Sequence, residues 1–233
     1  MMRRIYLLLA VLTTASVSAN DSVGVDFELT ADAAACTPAL SNNGVADFGS
    51  RQASSLSADA FTQLGTRDLT LTITCESSTA LAITSRDTRS SSVNIGEDAD
   101  HGVGPHFNVN GGLNVAYASR LFGLGVTAEN KSIGSYAVLI NAESIVALDG
   151  SRNVSVDMAG SESKSGPWTK PDHYLLPAAE SYFYTFVRKG TIVPQAVSSV
   201  SVPLQVSVSV ADKLGSRQPI TLDGEAVISI VYL

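Results

Sequence analysis

The 233-residue chain is acidic, with a formal net charge of −7 at pH 7, and only 16% of its residues are charged. The negative charge argues against nucleic acid and against an anionic membrane surface as partners. The length suits one large β domain or two small ones, and no Pro-rich or charged linker divides the chain.

The first 19 residues have the organisation of a secretory signal peptide. Residues 1–4 are basic, residues 5–12 are apolar, and residues 17–19 form a small-residue cleavage site. We therefore predict export and cleavage after Ala19, which removes two arginines and no acid and so takes the net charge from −7 to −9. A membrane anchor is the alternative, but the apolar run is too short to span a bilayer, so no direct membrane span is expected.

Residues 20–35 form an N-terminal extension with the period-two alternation of a half-buried strand. Four apolar side chains share one face of it: Val23, Val25, Phe27 and Leu29. The pattern predicts a strand that pairs with a sheet, ahead of a domain that we place at residues 36–233.

The two cysteines of the chain, Cys36 and Cys75, both follow the predicted signal peptide. In an exported protein this favours one disulfide, closing a loop of about 40 residues. A metal pair and a reactive thiol are the alternatives. Neither cysteine has a histidine near it in sequence, and two sulfurs alone do not complete a zinc site.

Period-two alternation of β-branched and aromatic residues recurs along the domain and predicts strands. These strands cover residues 68–75, 80–85, 135–142, 153–158, 182–188 and 200–210. The stretch 177–187 also permits a helix, but its aromatic second half favours a strand. Short strands with scarcely any helix predict an antiparallel β-sandwich or barrel. The longest loops are expected at residues 89–112 and 161–173.

No catalytic set emerges from the sequence. His101 and His106 lie in a glycine-rich loop without a recognised metal-ligand spacing, and no GxSxG motif accompanies His173. GLGVTA at residues 123–128 fits the dinucleotide fingerprint but lacks its strand–turn–helix context. We therefore expect no enzyme activity, no cofactor and no metal. Trp168 and Tyr174 could form an aromatic platform for a ligand such as a sugar, although a lone tryptophan in a β-sandwich is more often a core or loop-anchoring residue.

The chain closes with the sequence EAVISIVYL, an apolar strand. Its alternation predicts one face made of Ala226, Ile228, Ile230 and Tyr232, with Leu233 as the terminal residue. An apolar strand of this kind is a liability at an exposed sheet edge, because it invites pairing with another chain.

Several of these segments resemble the pilins of chaperone–usher fimbriae in Gram-negative bacteria. They are VGVDFELTADAAAC ending at Cys36, LTLTITC ending at Cys75, and AVISIVYL with Tyr232 in the penultimate position. CTPALSNNGVADFGS, LTLTITCESSTALAITS and RLFGLG resemble more closely a pilin-like family of exported Gram-negative proteins associated with such fimbriae. The resemblance covers most of the chain after the signal peptide.

The resemblance implies an all-β, immunoglobulin-like sandwich that lacks its final strand and is completed by a donor strand from another protein. Val23, Val25, Phe27 and Leu29 would be the donor face. Ala226, Ile228, Ile230 and Tyr232 would border the groove or pair with a periplasmic chaperone, which would hold the carboxylate of Leu233.

The resemblance further implies three kinds of partner: a periplasmic fimbrial chaperone, an outer-membrane usher and other pilin subunits, of the same or another kind. The protein would pass through the periplasm to a cell-surface fimbria, as a structural subunit or accessory protein with a role in cell adhesion. The alternative is a self-complete periplasmic or surface β-sandwich that acts as an adhesin-like binding module.

Overall fold

Two antiparallel β-sheets make up the structure, a computed structural model that describes residues 35–49, 56–95, 104–107, 112–214 and 220–233. Almost all regular structure in these residues is strand, and the helical segments are short 3₁₀ turns at Ser41–Gly44, Ser90–Ser92, Ala118–Arg120 and Ala142–Ser144. The predicted all-β, sandwich-like fold is confirmed.

Eleven strands are defined in the described residues. In chain order they are β1 (Cys36–Leu40), β2 (Thr62–Thr79), β3 (Leu81–Asp87), β4 (Phe122–Gly123), β5 (Gly134–Ile140), β6 (Val146–Asp149), β7 (Arg152–Val154), β8 (Val156–Ser161), β9 (Phe183–Arg188), β10 (Val197–Val210) and β11 (Ala226–Tyr232).

The first sheet has the strand order β1-β2-β10-β5-β4, with β6 pairing with β10 and β7 pairing with β6. The second sheet has the order β11-β3-β9-β8. Among the strands of the described residues, the first and the last in chain order, β1 and β11, are therefore both edge strands, one in each sheet.

The main core lies between the sheets and follows from the alternation seen in the sequence. On β10, the side chains of Val200, Val202, Leu204, Val206 and Val208 are all buried in it. They face buried residues of the second sheet: Leu81, Ile83, Tyr184 and Phe186. Because successive strand residues point to opposite faces, one alternating segment supplies a whole layer of the core.

The outer face of the first sheet is covered by the polar region around residue 105. Ala137 and Leu139 of β5 pack there against Phe107, Val115 and Leu121 in a second apolar cluster. The cover is also held by hydrogen bonds, in which Ser207 Oγ donates to the carbonyl of His106 at 2.6 Å and Gln63 Nε2 donates to that of Gly104 at 2.8 Å. The described part of the predicted loop 89–112 therefore contributes packing as well as solvated surface.

The predicted strands are all present, although several bounds differ from the prediction. The segment predicted at 153–158 is two strands, β7 and β8, which separate at Ser155. The short strands β1, β4 and β6 were not predicted, because two to five residues are too few to show a period. The ambiguous stretch 177–187 enters β9 at Phe183.

Candidate functional site

Strand β11 lies at the edge of the second sheet, paired on one side with β3 from Ala226↔Asp87 to Tyr232↔Leu81. Ala226, Ile228 and Ile230 pack against the main core, as the alternation predicts. The side chains on the other face point outward, and Val231 among them joins an outer cluster.

The backbone of β11 offers hydrogen-bonding groups on its open side. Thr88 N–H donates to the carbonyl of Glu225, and Leu233 N–H donates to that of Ala80, both at 3.1 Å. Because backbone groups alternate in direction along a strand, the odd-numbered residues face β3 and the even-numbered residues face away from it. No strand among the described residues pairs with that outward edge.

Opposite this edge lies an extended segment, residues 45–49, which we call the lip. Three consecutive residues with positive φ precede it, Asn42 (51°), Asn43 (52°) and Gly44 (78°), and they turn the chain sharply after β1. Arg67 Nε donates to the carbonyl of Asp47 at 2.6 Å, and the Arg67 guanidinium lies 4.9 Å from the centre of the Phe48 ring.

Between β11 and the lip lies an apolar cavity of about 620 Å³, which we call the edge groove. Its floor is the inner face of the first sheet, built from Leu69, Tyr136, Val138, Leu204, Val206 and Val208. Leu40 and the lip form one wall, and the stretch from Ile220 to Ile228 forms the other. The size lies in the range of ordinary ligand and peptide pockets.

One phenol, that of Tyr136, lies in the otherwise aliphatic floor. Tyr136 is 7% exposed and stacks on Phe122 with ring centres 5.0 Å apart. Burial raises the pKa of Tyr136 above its ordinary value, and the nearby carboxylates of Asp87 and Glu225 raise it further. The floor of the groove is therefore uncharged at any physiological pH.

Charge is confined to the rim of the groove. Arg89 Nε lies 3.1 Å from Asp223 Oδ2, and Arg89 Nη1 lies 3.4 Å from Glu225 Oε2. The hydrogen bond that Arg89 donates to Asp223, together with the charge of that carboxylate, raises the pKa of Arg89. This exposed pairing ties the start of β11 to the chain just after β3.

The predicted disulfide joins Cys36 and Cys75, which face each other directly on β1 and β2 with Cα atoms 4.0 Å apart. The pairing excludes the metal-pair and reactive-thiol alternatives for these cysteines. Cys36 also lies next to β11, because its N–H donates to the Tyr232 hydroxyl at 2.9 Å. The two edge strands thus meet at this end of the groove.

The structure does not give Trp168 and Tyr174 a shared exposed face. Trp168 is 9% exposed and packs on the outer side of the second sheet with Ala82, Ala159 and Val187. Tyr174 packs against the main core instead, and its hydroxyl donates to the carbonyl of Met158 at 3.0 Å. The two rings belong to different clusters and so do not present one shared face to a ligand.

An ion pair beside this loop gives a pH-dependent prediction. Asp157 Oδ2 accepts hydrogen bonds from Lys170 Nζ at 2.5 Å and from Gly190 N–H at 2.8 Å, and the first of these contributes most to lowering the pKa of Asp157. The ionised carboxylate therefore stabilises the fold above the ordinary pKa of aspartate, and this contribution is lost as the pH falls through the lower folded-state pKa.

We expect Asp157→Asn to flatten the acid limb of the stability curve. Between about pH 5 and pH 2 the free energy of unfolding of the wild type should fall more steeply than that of the variant, measured by urea unfolding. Asp59→Asn, at an exposed position, is the matched control. Equal slopes for wild type and Asp157→Asn would contradict the assignment.

Other predicted site residues fall outside the described part of the chain. These are the signal peptide and the donor face of Val23, Val25, Phe27 and Leu29; His101 also lies outside it. Among the described residues, no group of histidine, cysteine, aspartate and glutamate side chains could hold a metal ion, and no helix is long and apolar enough to cross a membrane.

Sequence reasoning missed the lip and most of the groove floor. The Asn-Asn-Gly sequence at residues 42–44 was an available turn signal before the lip. Leu204, Val206 and Val208 lay in a predicted strand. Their alternation predicts that they are buried, but it does not show whether they lie in the closed core or on the floor of a groove at the sheet edge.

Comparison with known proteins places the chain in a family. Residues 27–137 match the family described as "Protein of unknown function (DUF1120)". The chain is 47% identical over 222 residues to the Escherichia coli K12 protein named "Uncharacterized protein YhcF", covering 94% of this chain and 93% of that protein. It is 28% identical over 244 residues to "Protein GltF" of the same organism, covering 96% and 95%. No solved structure matches. The chain belongs to the DUF1120 family.

Proposed function

We propose that this protein is a structural, non-enzymatic subunit or accessory protein of a chaperone–usher fimbria, and that the edge groove receives a strand from another polypeptide. The observation that carries the proposal is the apolar groove between two edges of the sandwich, bordered by β11. Extended peptides bind such edges by β-augmentation, in which main-chain hydrogen bonds supply affinity and pockets receive alternate side chains.

The composition of β11 supports a pairing role. Soluble proteins protect their edge strands with lysine, proline, inward charges or bulges. The sequence AVISIVY of β11 contains none of these residues, and its register with β3 runs without a shift. The strand therefore retains the features that favour pairing with a further strand.

The burial available in the groove is large enough to hold a partner. Each apolar side chain that becomes fully buried contributes about 1.5–3 kcal/mol. Three or four alternate side chains of an incoming strand would offset the cost of association and leave a long-lived complex.

The compartment fits the same proposal. The disulfide is typical of proteins that fold outside the cytoplasm. In the proposed sequence of events a periplasmic chaperone first supplies the strand. At the outer-membrane usher, the extension of another subunit, with Val23, Val25, Phe27 and Leu29 as its apolar face, then takes the chaperone's place.

The test is export of the protein to a bacterial periplasm with and without a co-expressed fimbrial chaperone, followed by size-exclusion chromatography with mass determination. We expect a one-to-one complex with the chaperone, because the chaperone strand covers β11. Recovery of only a stable monomer in the presence of the chaperone would contradict the proposal.

Deletion of residues 20–33 separates the two proposed uses of strand pairing. The shortened protein should still form the chaperone complex, because its groove is unchanged. On its own it should no longer form oligomers, because it has no strand to donate. Loss of the chaperone complex together with the oligomers would contradict the assignment of the groove as the chaperone-binding element.

A further inference from the structure

The edge groove is closed at one end. Its cavity is bordered by Gly224–Ile228 on the β11 side and by Leu40 and residues 44–49 on the other. Ile230 and Tyr232, which continue the same face of β11, do not line the cavity. The cavity therefore accompanies only the first part of the strand.

Three contacts hold the closed end together. The Cys36 N–H donates to the hydroxyl of Tyr232 at 2.9 Å, and the disulfide fixes Cys36 to Cys75 on β2. Leu233 N–H donates to the carbonyl of Ala80 at 3.1 Å, which fixes the end of β11 to the start of β3. The Tyr232 side chain thus spans from one sheet edge to the other, across the gap that becomes the cavity further along.

The hydrogen bond uses an outward-facing group of β1. Glu76 N–H donates to the carbonyl of Ala35 at 3.1 Å, so the backbone of Ala35 faces β2 and, by alternation, the N–H of Cys36 faces away from β2. An incoming strand would need this side of β1 at the same level. The phenol of Tyr232 competes with it for that space.

We infer that Tyr232 acts as a stop that limits the length of strand admitted by the groove. The inference rests on the proposed function, and its occupant is the N-terminal strand of a second copy of the chain. The apolar face of that strand, from Val23 to Leu29, spans roughly 20 Å at 3.3 Å per residue. The wall that borders the cavity from Gly224 to Ile228 spans roughly 13 Å on the same scale, so about three of the four apolar side chains enter.

The test measures how affinity depends on peptide length. Two fluorescent peptides with capped ends, corresponding to residues 25–29 and 21–31, are titrated with the mature full-length protein by fluorescence anisotropy. We expect the wild type to bind them with equal affinity within about twofold, because the longer peptide gains no further pocket. Tyr232→Ala should bind the longer peptide about tenfold more tightly than the shorter one, as expected for one more buried apolar side chain.

Two further variants define the cause. Tyr232→Phe keeps the ring and removes the hydrogen bond, so it should give a smaller preference for the longer peptide. Tyr117→Ala is the control, because Tyr117 is 69% exposed and does not line the groove. Amide exchange at Cys36 should accelerate in Tyr232→Phe, while exchange at Leu233 stays as in the wild type.

The outcomes separate the stop from the groove itself. If neither peptide binds the wild type or any variant, strand uptake is wrong and the proposed function fails with it. If the peptides bind but the wild type already prefers the longer one tenfold, or if Tyr232→Ala leaves the ratio unchanged, only the stop is overturned. Unchanged exchange at Cys36 in Tyr232→Phe would also overturn it.

Discussion

Replacing both Cys36 and Cys75 by serine is expected to lower the free energy of unfolding by about 4 kcal/mol. The disulfide closes a loop with a sequence separation of 39 residues, and the chain-entropy treatment of such a loop gives that magnitude. Urea unfolding of the mature protein, followed by far-UV circular dichroism, measures the change.

A second effect should accompany the loss of stability. β1 is held on β2 by five residue pairs and by the disulfide, so the double variant should loosen β1 and with it the contact between Cys36 and Tyr232. Reduction of the wild type with dithiothreitol should reproduce the effect of the double variant. A change below about 1 kcal/mol would mean that the loop is already constrained in the unfolded chain.

Ile228→Asp should abolish strand uptake while leaving the domain folded. Ile228 lines the groove, is partly buried and belongs to an edge strand, so a carboxylate there remains close to solvent in the free protein. An incoming strand would bury the carboxylate without a partner, which is costly. We expect at least a 100-fold loss of chaperone binding, equivalent to about 2.7 kcal/mol, measured by titration of the purified chaperone.

The matched control is Ile192→Asp. Ile192 is an exposed isoleucine, 52% accessible, in the turn between β9 and β10, so the same substitution there should leave chaperone binding unchanged. Both variants should keep the disulfide and the far-UV spectrum of the wild type. Wild-type chaperone binding by Ile228→Asp would show that β11 is not the element that pairs.

The sequence predicts the strands well where alternation is sustained and fails where geometry interrupts it. β2 is 18 residues long, although the alternation indicated only residues 68–75. Gly65 has φ +80°, next to the register shift at Val208/Ser209, so the strand passes through a bulge there and continues. A glycine at a bulge resembles a turn signal in sequence, which is why the strand was predicted too short.

The groove depends on contacts between distant parts of the chain, which a single sequence does not reveal. The inward face of β11 and the disulfide were predicted from local pattern and compartment. The bond between Cys36 and Tyr232 joins residues 196 positions apart, and the position of the lip depends on Arg67 in another strand. Nothing in the local pattern of these residues encodes their partners.

The burial of Trp168 likewise depends on contacts with residues distant in sequence. In sequence, a lone tryptophan in a β-sandwich is more often a core or loop-anchoring residue than a ligand platform, but local pattern does not decide between them. Trp168 is buried because the outer side of the second sheet is apolar. Its indole covers the surface formed by Ala82, Ala159 and Val187. A sheet face of small apolar residues is visible only after the strands are assembled.

Both broad faces of the sandwich carry covers of their own, around Phe107 on the first sheet and Trp168 on the second. The covers and the edge groove therefore occupy different sides of the domain. Substitutions on the solvent side of either cover would change the exposed surface of the domain. The edge groove and the register of β11 with β3 would stay the same. If the groove receives a partner strand as proposed, the fold separates surfaces that are free to diversify from a groove that must keep its fit to that strand.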